Sequence, residues 1–562
     1  DENVTNKKII NYDWDNNEVR EKRTPNSAER RYQKTLSKNF TLYADYKKNF
    51  NDRHDLSVMV GTSHESENYD RFTAKRINFD QQENMSLQLG SAQDQNAWSE
   101  GNQWTINSFF SRVNYTFANK YVIEGTIRAD GSSRFDPDHR WGWFPGVNAA
   151  WRVGEEGFMK RLGWFEDLKV RASYGEMGNQ SGIGLYDYIQ LISLSNDYYP
   201  FGAGVKGQMA TSGNIISTSR TWETIQTTNV GFDFSTLNNR LYGSFDYFWK
   251  ENKNMLIPKT YPSMLGADAP STNSGHLSIH GWEISLGWRD QIKDFSYSVR
   301  FNISDAKNKV VDRVGSNLIQ LGNNETPTGY PLNSYFGYEF DGIIQNEQEL
   351  EAYKSRFSEG GIPGDLSVGD AMYKDLDGDG KLSVLGDGKE GSGDVKYLGD
   401  KNPRYNFGFN LSMAWKGFDL SAFIQGVGRR TMFLEGESRC PMPEAWYQSA
   451  EYWYGKTWTP ERTDAQYPAI TLKDKRNYNY YVSTNTKFNV AYARLKNLQF
   501  GYTIPQTLTS KAGLQKVRVY FSGEDLFEVH NTPNGWDPEE NSGSITSYPF
   551  TRNYSFGINV VF

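Results

Sequence analysis

The sequence contains very little cysteine and histidine, on which many disulfide-stabilised folds, catalytic sites and metal sites depend. Its 562 residues include 1 Cys and 6 His. A single cysteine excludes a disulfide framework within the chain. Cys440 lies beside Pro441 and Pro443, far from any histidine in the sequence, so we interpret it as a loop residue and not as a nucleophile.

Long apolar runs are missing as well. No window approaches the ~18 consecutive apolar residues that a membrane-spanning helix needs, and this argues against a helical membrane protein. A soluble fold of 562 residues would need roughly three or four domains. A barrel reaches this size more simply, because it grows by adding strands around a lumen.

The chain also lacks an excess of positive charge. It has 61 Lys+Arg against 68 Asp+Glu, a net charge of −7, so we expect no nucleic-acid partner. It contains no recognisable nucleophile–base arrangement and no metalloprotease motif, so we do not expect an enzyme.

Aromatic residues, by contrast, are abundant. The chain contains 35 Tyr, 33 Phe and 16 Trp, together 15% of its residues. Many Tyr and Trp with few long apolar runs are typical of the interfacial aromatic girdles of a membrane β-barrel, combined with polar binding surfaces.

The end of the chain alternates between apolar side chains and small or polar ones. The apolar set is Tyr554, Phe556, Ile558, Val560 and Phe562. A bare apolar strand is unexpected at the terminus of a soluble protein but normal in a membrane barrel. We expect this set to face lipid and to form the C-terminal signal read by the barrel-assembly machinery.

Similar alternation recurs along the chain and predicts about fifteen to seventeen strands. Helical periodicity is confined to one short segment near 347–357. Short turns near 119–120, 238–239 and 416–417 alternate with long connections. The long connections lie near 177–225, 253–278, 306–334, 341–402, 428–486 and 528–548. This asymmetry predicts an all-β fold, a large antiparallel transmembrane β-barrel with short periplasmic turns and long extracellular loops.

Several segments resemble signatures of the SusC/RagA family of TonB-dependent outer-membrane transporters. They are RADGSSRFDPDHRWGWFPGVNAAWRVGEE (128–156), LKVRASYGEMGNQ (168–180), WETIQTTNVGFDF (222–234), DLDGDGKL (375–382), ARLKNLQFGYTIP (493–505) and VRVYFSGEDLF (517–527). The resemblance implies a barrel of roughly 22 strands with a plug, a SusD-like surface lipoprotein as lid, and energy from TonB.

The plug, the TonB-contacting segment and the first strands of that family are not recognisable in the sequence. We therefore expect residues 1–562 to be the C-terminal barrel portion of a longer protein, coupled to TonB through a part outside them. The strand at 554–562 should then lack its closing neighbour. Pairing of this strand with residues near 40–50 would overturn the expectation.

The segment DLDGDGKLS matches the first half of a calcium-binding loop, with Gly380 at the sharp turn. The predicted ligands are Asp375, Asp377, Asp379, Lys381 through its carbonyl, Ser383, and Asp387 or Asp394 in place of the missing glutamate. A bound structural calcium and an aspartate-rich solvated turn both remain open.

The segment 443–468 concentrates aromatic residues. These are Trp446, Tyr447, Tyr452, Trp453, Tyr454 and Trp458. They could stack on sugar rings or peptide side chains or contact a lid protein. Alternatively, the loop could pack a small core of its own.

Charged residues occupy the second face of several predicted strands. Alternation places toward the lumen Glu124, Arg128, Asp130, Lys169, Arg171 and Glu283. They could contact substrate or plug, although walls of mixed charge more often form pairs between strands.

The sequence thus predicts TonB-energised import of oligosaccharides or oligopeptides across the outer membrane of a Bacteroidota-like Gram-negative bacterium. No cofactor is expected for function. The resemblance also allows a dimer of transporter–lid pairs. The alternatives are a passive porin-like barrel, whose uptake would persist without the proton-motive force, and a soluble glycan-binding β protein.

Overall fold

The computed structural model describes residues 2–562 except 8–10, 14–17, 21–25, 82, 84, 94, 196–199, 202–204, 207–208, 213–214, 259–269, 314–320, 323–325, 386–392, 444–448, 472–473, 541–542, 544–547 and 549. Strands are numbered β1 to β28 along the chain. The predicted residues Asp387, Trp446 and Tyr447 lie outside the described part.

Sixteen of the described strands form one antiparallel sheet in which neighbours in the chain are neighbours in the sheet. They are β1 (Glu2–Lys7), β4 (Ser27–Phe50), β5 (His54–Ile77), β6 (Gln95–Phe117), β7 (Tyr121–Ser132), β8 (Trp141–Arg152), β9 (Asp167–Asn179), β14 (Glu223–Thr236), β15 (Leu241–Pro258), β16 (Ser271–Ile292), β17 (Phe295–Asp312), β22 (Arg404–Trp415), β23 (Phe418–Arg429), β26 (Tyr492–Thr503), β27 (Lys516–His530) and β28 (Asn553–Val561). The prediction of a large antiparallel all-β sheet is confirmed.

The remaining strands are short and form two-stranded pieces within the connections. They are β2 (Asn11–Asp13), β3 (Glu18–Arg20), β10 (Ile192–Ser195), β11 (Pro200–Phe201), β12 (Val205–Lys206), β13 (Met209–Ser212), β18 (Ser334–Tyr338), β19 (Phe340–Ile343), β20 (Ala371–Tyr373), β21 (Val395–Asp400), β24 (Thr431–Met432) and β25 (Phe488–Asn489).

Four short α-helices are described: α1 (Gly157–Leu162), α2 (Glu347–Arg356), α3 (Asp474–Asn479) and α4 (Gln506–Thr509). Helix α2 confirms the helical segment predicted near 347–357. Its N-terminus is capped by the Asn346 side chain, which accepts from the Glu349 backbone N–H. No described helix is long and apolar enough to cross a membrane.

Tight turns at one rim of the sheet use residues that tolerate positive φ. Asn51 and Asp52 have φ of 54° and 53° between β4 and β5, and Lys416 and Gly417 have φ of 46° and 90° between β22 and β23. Such turns match the twist of the strands they join.

The long connections lie at the opposite rim, as predicted, but some bounds were wrong. The connection predicted near 253–278 is shorter because β15 runs to Pro258 and β16 begins at Ser271. The stretches near 306–334 and 341–402 form a single connection, 313–403, between β17 and β22. These strands continue beyond the expected bounds because main-chain pairing persists through their polar residues.

Some strands of the sheet are longer than a strand needs to be to span a membrane. β4 and β5 each have 24 residues, which at ~3.3 Å per residue extend roughly 80 Å. A tilted transmembrane strand needs only about 9–11 residues. Strands of this length would therefore extend well beyond a membrane.

The last strand of the sheet carries the predicted apolar row. Phe556 and Ile558 are 83% and 67% exposed, and Phe556 lies against Phe521 of β27 with ring centroids 5.2 Å apart. Phe562 follows directly after β28. Among the described residues β28 pairs with β27, whereas β4 pairs with β1 and β5, so the pairing with residues near 40–50 that would overturn the expectation is not seen.

Candidate functional site: the loop cap

Three long connections pack together at the rim opposite the tight turns. We call the described residues of 313–403, 430–491 and 531–552 the loop cap. Their buried side chains form two main clusters. One contains Tyr338, Ile344, Leu350, Tyr353, Phe357, Leu366, Ala371, Tyr373, Leu382 and Tyr478. The other contains Met432, Leu434, Cys440, Trp453, Tyr467, Tyr480, Val490 and Trp536. The loops thus form packed bodies that rest on the sheet.

The first cluster joins two connections through tyrosine hydroxyls. Tyr353 of α2 lies 2.7 Å from Tyr478 of α3, hydroxyl to hydroxyl, and also accepts from the Tyr373 backbone N–H at 2.9 Å. Tyr373 in turn donates its hydroxyl to the Tyr478 carbonyl at 2.7 Å. Burial raises the pKa of Tyr353 to about 12 and raises the pKa values of Tyr373 and Tyr478 further.

The second cluster buries some of the aromatic residues predicted near 443–468 and leaves others exposed. Trp453 is buried, and Tyr452 packs on it and on Trp536, so these two belong to the core of the loop and do not form a contact surface. Trp458 is half-buried and donates its Nε1–H to Gln345 at 3.1 Å. Tyr454, at 90% exposure, still offers an aromatic face to a ligand or partner.

The third connection is anchored to the sheet by a buried arginine. The side chain of Arg494 is fully buried and binds Glu528 at 2.8 Å and Asp537 at 2.9 Å. Glu539 lies 3.0 Å away, and Lys496 pairs with this acid as well. The acidic residues of 531–552 are therefore neutralised at the top of β26 and β27.

The predicted calcium loop has a different acidic centre from the one expected. One carboxylate oxygen from each of Asp375, Asp377 and Asp394 lies within 4.8 Å of the other two. Asp379 is not in this group, and its carboxylate accepts the Lys381 backbone N–H at 2.8 Å. Hard carboxylate oxygens at this separation fit a calcium ion.

Asp394 is the member of this group that the sequence offered only as a substitute ligand. It is fully buried and accepts backbone N–H groups from Leu376 at 2.6 Å and Ser383 at 2.7 Å. Burial, together with Asp377 and Asp375, raises the pKa of its carboxyl. The loop thus brings like charges together, which is the condition that a bound cation would relieve.

An exposed salt-bridge cluster centres on Glu339, in the link between β18 and β19, and joins it to the end of β20 and to β21. Glu339 accepts from Lys374 at 2.8 Å and also from Lys396. These hydrogen bonds lower the pKa of Glu339 to about 2. The group is ionised over the whole physiological range and fixes the surface of the cap near the acidic loop.

The predicted lumen-facing residues pair with one another along a strand and with polar side chains of neighbouring strands. Arg128 donates to Asp130 at 2.7 Å and to Ser108 at 2.9 Å. Glu124 accepts from the amide groups of Asn114 and Asn148. These contacts hold β6, β7 and β8 in register.

The same pairing links β9, β14 and β15. Lys169 lies 2.8 Å from Asp233, and Arg171 bridges Asp233 at 3.1 Å and Asp246 at 2.6 Å. Glu283 is placed opposite Asp246 in the register of β15 and β16. Lys169 and Arg171 are therefore already paired with carboxylates of neighbouring strands.

Comparison with known proteins decides the family. The family model described as TonB dependent receptor-like, beta-barrel, matches residues 3–526. The chain belongs to this family. The TonB-dependent receptor P3 of Formosa agariphila is 32% identical over 558 residues, which cover 94% of this chain and 52% of that protein. The TonB-dependent receptor SusC of Bacteroides thetaiotaomicron is 26% identical over 568 residues, covering 93% and 50%.

Solved structures show the same fold. The RagAB peptide importer in its open-open state has a TM-score of 0.79 at 22% identity, covering 100% of this chain and 57% of that chain. The structure of the RagAB peptide transporter gives 0.78 at 23%, covering 95% and 56%. The resemblance to the SusC/RagA family is confirmed, and this receptor barrel is an outer-membrane protein. The chain spans about half the length of the curated relatives it matches.

The anchoring residues of the cap are those that sequence reasoning missed. Tyr353 and Tyr478 stand in no recognisable motif. Arg494 lies in the family-like segment 493–505, but nothing in that segment indicates its acidic partners, which lie far away in the sequence. The cation-rich cavity described below was also missed. A signal existed in part, because Arg429 and Arg430 form a basic pair directly at the end of a predicted strand.

Proposed function

We propose that this receptor barrel forms the wall of an active importer that brings oligosaccharides or oligopeptides across the outer membrane. The family match over residues 3–526 carries this proposal. The loop cap supports it, because packed loops with an exposed aromatic such as Tyr454 suit the capture of a polar ligand at the extracellular rim. Transport of this kind involves no covalent chemistry.

We infer three kinds of partner for the whole protein. A SusD-like lipoprotein would cover the loop cap as a lid, TonB would supply energy through a segment outside residues 1–562, and the barrel-assembly machinery would insert the chain by its C-terminal strand. A pair of transporter–lid complexes would fit the same arrangement. The likeness to RagAB supports a lid and a peptide substrate in particular.

Uptake by cells tests this proposal. Cells that express the full-length protein and a strain lacking its gene are given fluorescent oligopeptides or oligosaccharides of matched size. We expect one of the two substrate classes to enter only the expressing cells. Equal uptake of both classes by both strains would contradict import by this protein.

We also propose a structural calcium ion in the acidic loop, held by Asp375, Asp377 and Asp394. The mutual approach of the three carboxylates supports it. The ion would supply positive charge that neutralises these carboxylates and would order the loop between β20 and β21. The Asp379 carboxylate would contribute less, because it lies outside the group of three carboxylates that approach one another.

Calorimetric titration of the full-length protein with calcium tests this site. We expect one site in the wild type, loss of that site in Asp377→Ala, and a weaker effect in Asp379→Ala. Identical titrations of the wild type and Asp377→Ala would show that the loop is a solvated turn.

A further inference from the structure

A cavity of about 400 Å³ lies at the seam between the sheet and the loop cap. Here β17 continues past its neighbour, because the pairing with β22 ends at Ser304 opposite Asn406. Beyond that point, residues of the loop cap form hydrogen bonds with β17. The Gly329 backbone N–H donates to the Val310 carbonyl at 2.8 Å, and the Leu332 N–H donates to the Asn308 side chain at 2.6 Å. The cavity is thus a built feature of the wall.

Basic side chains dominate the lining of this cavity. They are His280, Lys307, Lys309, Arg404, Arg429 and Arg430, and Asp400 is the one acidic residue among the described lining residues. The whole chain carries a net charge of −7, so this concentration of positive charge is local. Such a concavity focuses a positive potential.

Some of these groups are already engaged. Arg404 forms a bidentate pair with Asp305, and Arg430 donates to the carbonyls of Pro538 and Glu540, both at 2.8 Å. The Asp400 carboxylate accepts from the Tyr397 hydroxyl at 2.7 Å and from the Asn402 backbone at 3.1 Å. Asp400 is therefore shared among neutral donors.

Three lining cations are not neutralised in this way. Lys307, Lys309 and Arg429 are exposed, and none of them forms an ion pair within the described ranges. Elsewhere in the wall the basic groups Lys169 and Arg171 bind carboxylates. The cavity therefore offers guanidinium and ammonium donors whose charge no carboxylate of the described residues neutralises through an ion pair.

The lowered pKa of a neighbouring lysine indicates the same positive environment. The pKa of Lys487, in the loop cap, is lowered by partial burial of its ammonium and then by the nearby charges of Arg429 and Lys396. Like charges held this close favour the binding of an anion, which would relieve their repulsion.

We propose that this cavity binds an oxyanion group. Arg429 and Lys307 hold the group, and Arg430 adds positive charge from the same lining. The group is a phosphate, a sulfate or a carboxylate, since guanidinium and ammonium donors form their strongest hydrogen bonds with these acceptors.

Two sources of the oxyanion can reach the cavity. Alternation along β23 places Arg429 on the face of Gln425, opposite lipid-facing Ile424, so a group on a ligand in the lumen can approach it. Lys307 lies opposite His280 and on the same face as Ile303, yet it lines the same cavity as Arg429, because the pairing of β17 with β22 has ended there and leaves the sheet open. The headgroup of a phosphorylated lipid can therefore approach from the membrane side. The first source rests on the proposed import function, whereas the cavity itself does not.

Titration of inorganic sulfate into the purified full-length protein, in neutral detergent and followed by calorimetry, tests the proposal. We expect saturable binding to the wild type and at least a tenfold weaker affinity in the double variant Arg429→Gln/Lys307→Gln. Arg429→Lys should retain most of the affinity because it keeps the charge. Lys293→Gln/Lys416→Gln, with the same loss of two positive charges at periplasmic turns, is the matched control and should bind as the wild type does.

Absence of sulfate binding in the wild type, or equal binding by the double variant, overturns the proposal. Displacement of sulfate by a micelle-dispersed diphosphorylated lipid A would assign the cavity to a lipid headgroup. Displacement by sulfated or acidic oligomers, but not by neutral ones of equal length, would assign it to a ligand in the lumen. Because these measurements need no transport, a failure of the import proposal would leave them interpretable.

Discussion

The hydroxyl of Tyr353 lies 2.7 Å from the hydroxyl of Tyr478, although 125 residues separate the two in the chain. This contact joins the connection after β17 to the connection after β23. Both rings are buried in one cluster, so the two loops share a single core.

Removal of the Tyr353 hydroxyl should loosen this unit. In Tyr353→Phe the Tyr478 hydroxyl and the Tyr373 backbone N–H lose a buried partner, which we expect to destabilise the cap by about 1–3 kcal/mol. Hydrogen exchange of residues 347–357 and 474–483 measures the effect. Tyr454→Phe, at a 90% exposed position, is the control and should leave exchange unchanged.

Alkaline pH should open the same core. The pKa of Tyr353 is raised to about 12 because burial disfavours its phenolate. A raised pKa in the folded state means that the contribution to stability is complete below pH ~10, the usual tyrosine value, and is lost as pH rises through about 12. Phenolate absorbance and near-ultraviolet circular dichroism should therefore change together above pH ~10. Independent titration of all tyrosines near pH 10, without loss of the dichroism, would contradict this account.

Arg494 should be essential for the third connection of the cap. Arg494→Gln leaves Glu528, Asp537 and Glu539 close together without their central cation, and removal of one partner from a buried ionic group typically costs about 3–5 kcal/mol. Trp536 packs in the same cluster as Cys440, so we expect faster alkylation of this buried thiol. Arg552→Gln removes an exposed partner of Glu528 and serves as the control, with an expected effect of about 0–1 kcal/mol. Similar alkylation rates in both variants would show that Arg494 does not anchor the loop.

Helix α1 should insert into the periplasmic interface of the membrane. Phe158 and Leu162 share one helical face, at 53% and 50% exposure, and the following Trp164 is 66% exposed. Phe165 packs edge-on against Phe234, on the apolar face of the sheet. These side chains therefore continue the lipid-facing surface at its periplasmic edge.

Spin labels measure this insertion. A nitroxide at Leu162→Cys, in the full-length protein in lipid nanodiscs, should collide more with oxygen than with a water-soluble nickel complex. At Lys160→Cys, on the opposite face of the helix, we expect the reverse. Cys440 is buried and should react little with the label. Water-like accessibility at both positions would contradict the insertion.

The strands were predictable from sequence because their signal is local. Alternation and tight turns are read within ten or twenty residues, and they gave the antiparallel sheet and its apolar last strand. The cap was not predictable, because its determinants are pairs such as Tyr353–Tyr478 and Arg494–Asp537, which only the folded chain brings together. The acidic loop shows the same limit. Motif spacing suggested Asp379, whereas the chain returns Asp394 to the centre from beyond the motif.

Active import through this barrel requires that uptake depend on the proton-motive force. Cells that express the full-length protein accumulate a labelled substrate, and a protonophore is then added. We expect accumulation to stop at once, so that further uptake is no faster than in cells lacking the gene. Uptake that continues at its original rate after the proton-motive force has collapsed would show a passive pore and contradict it.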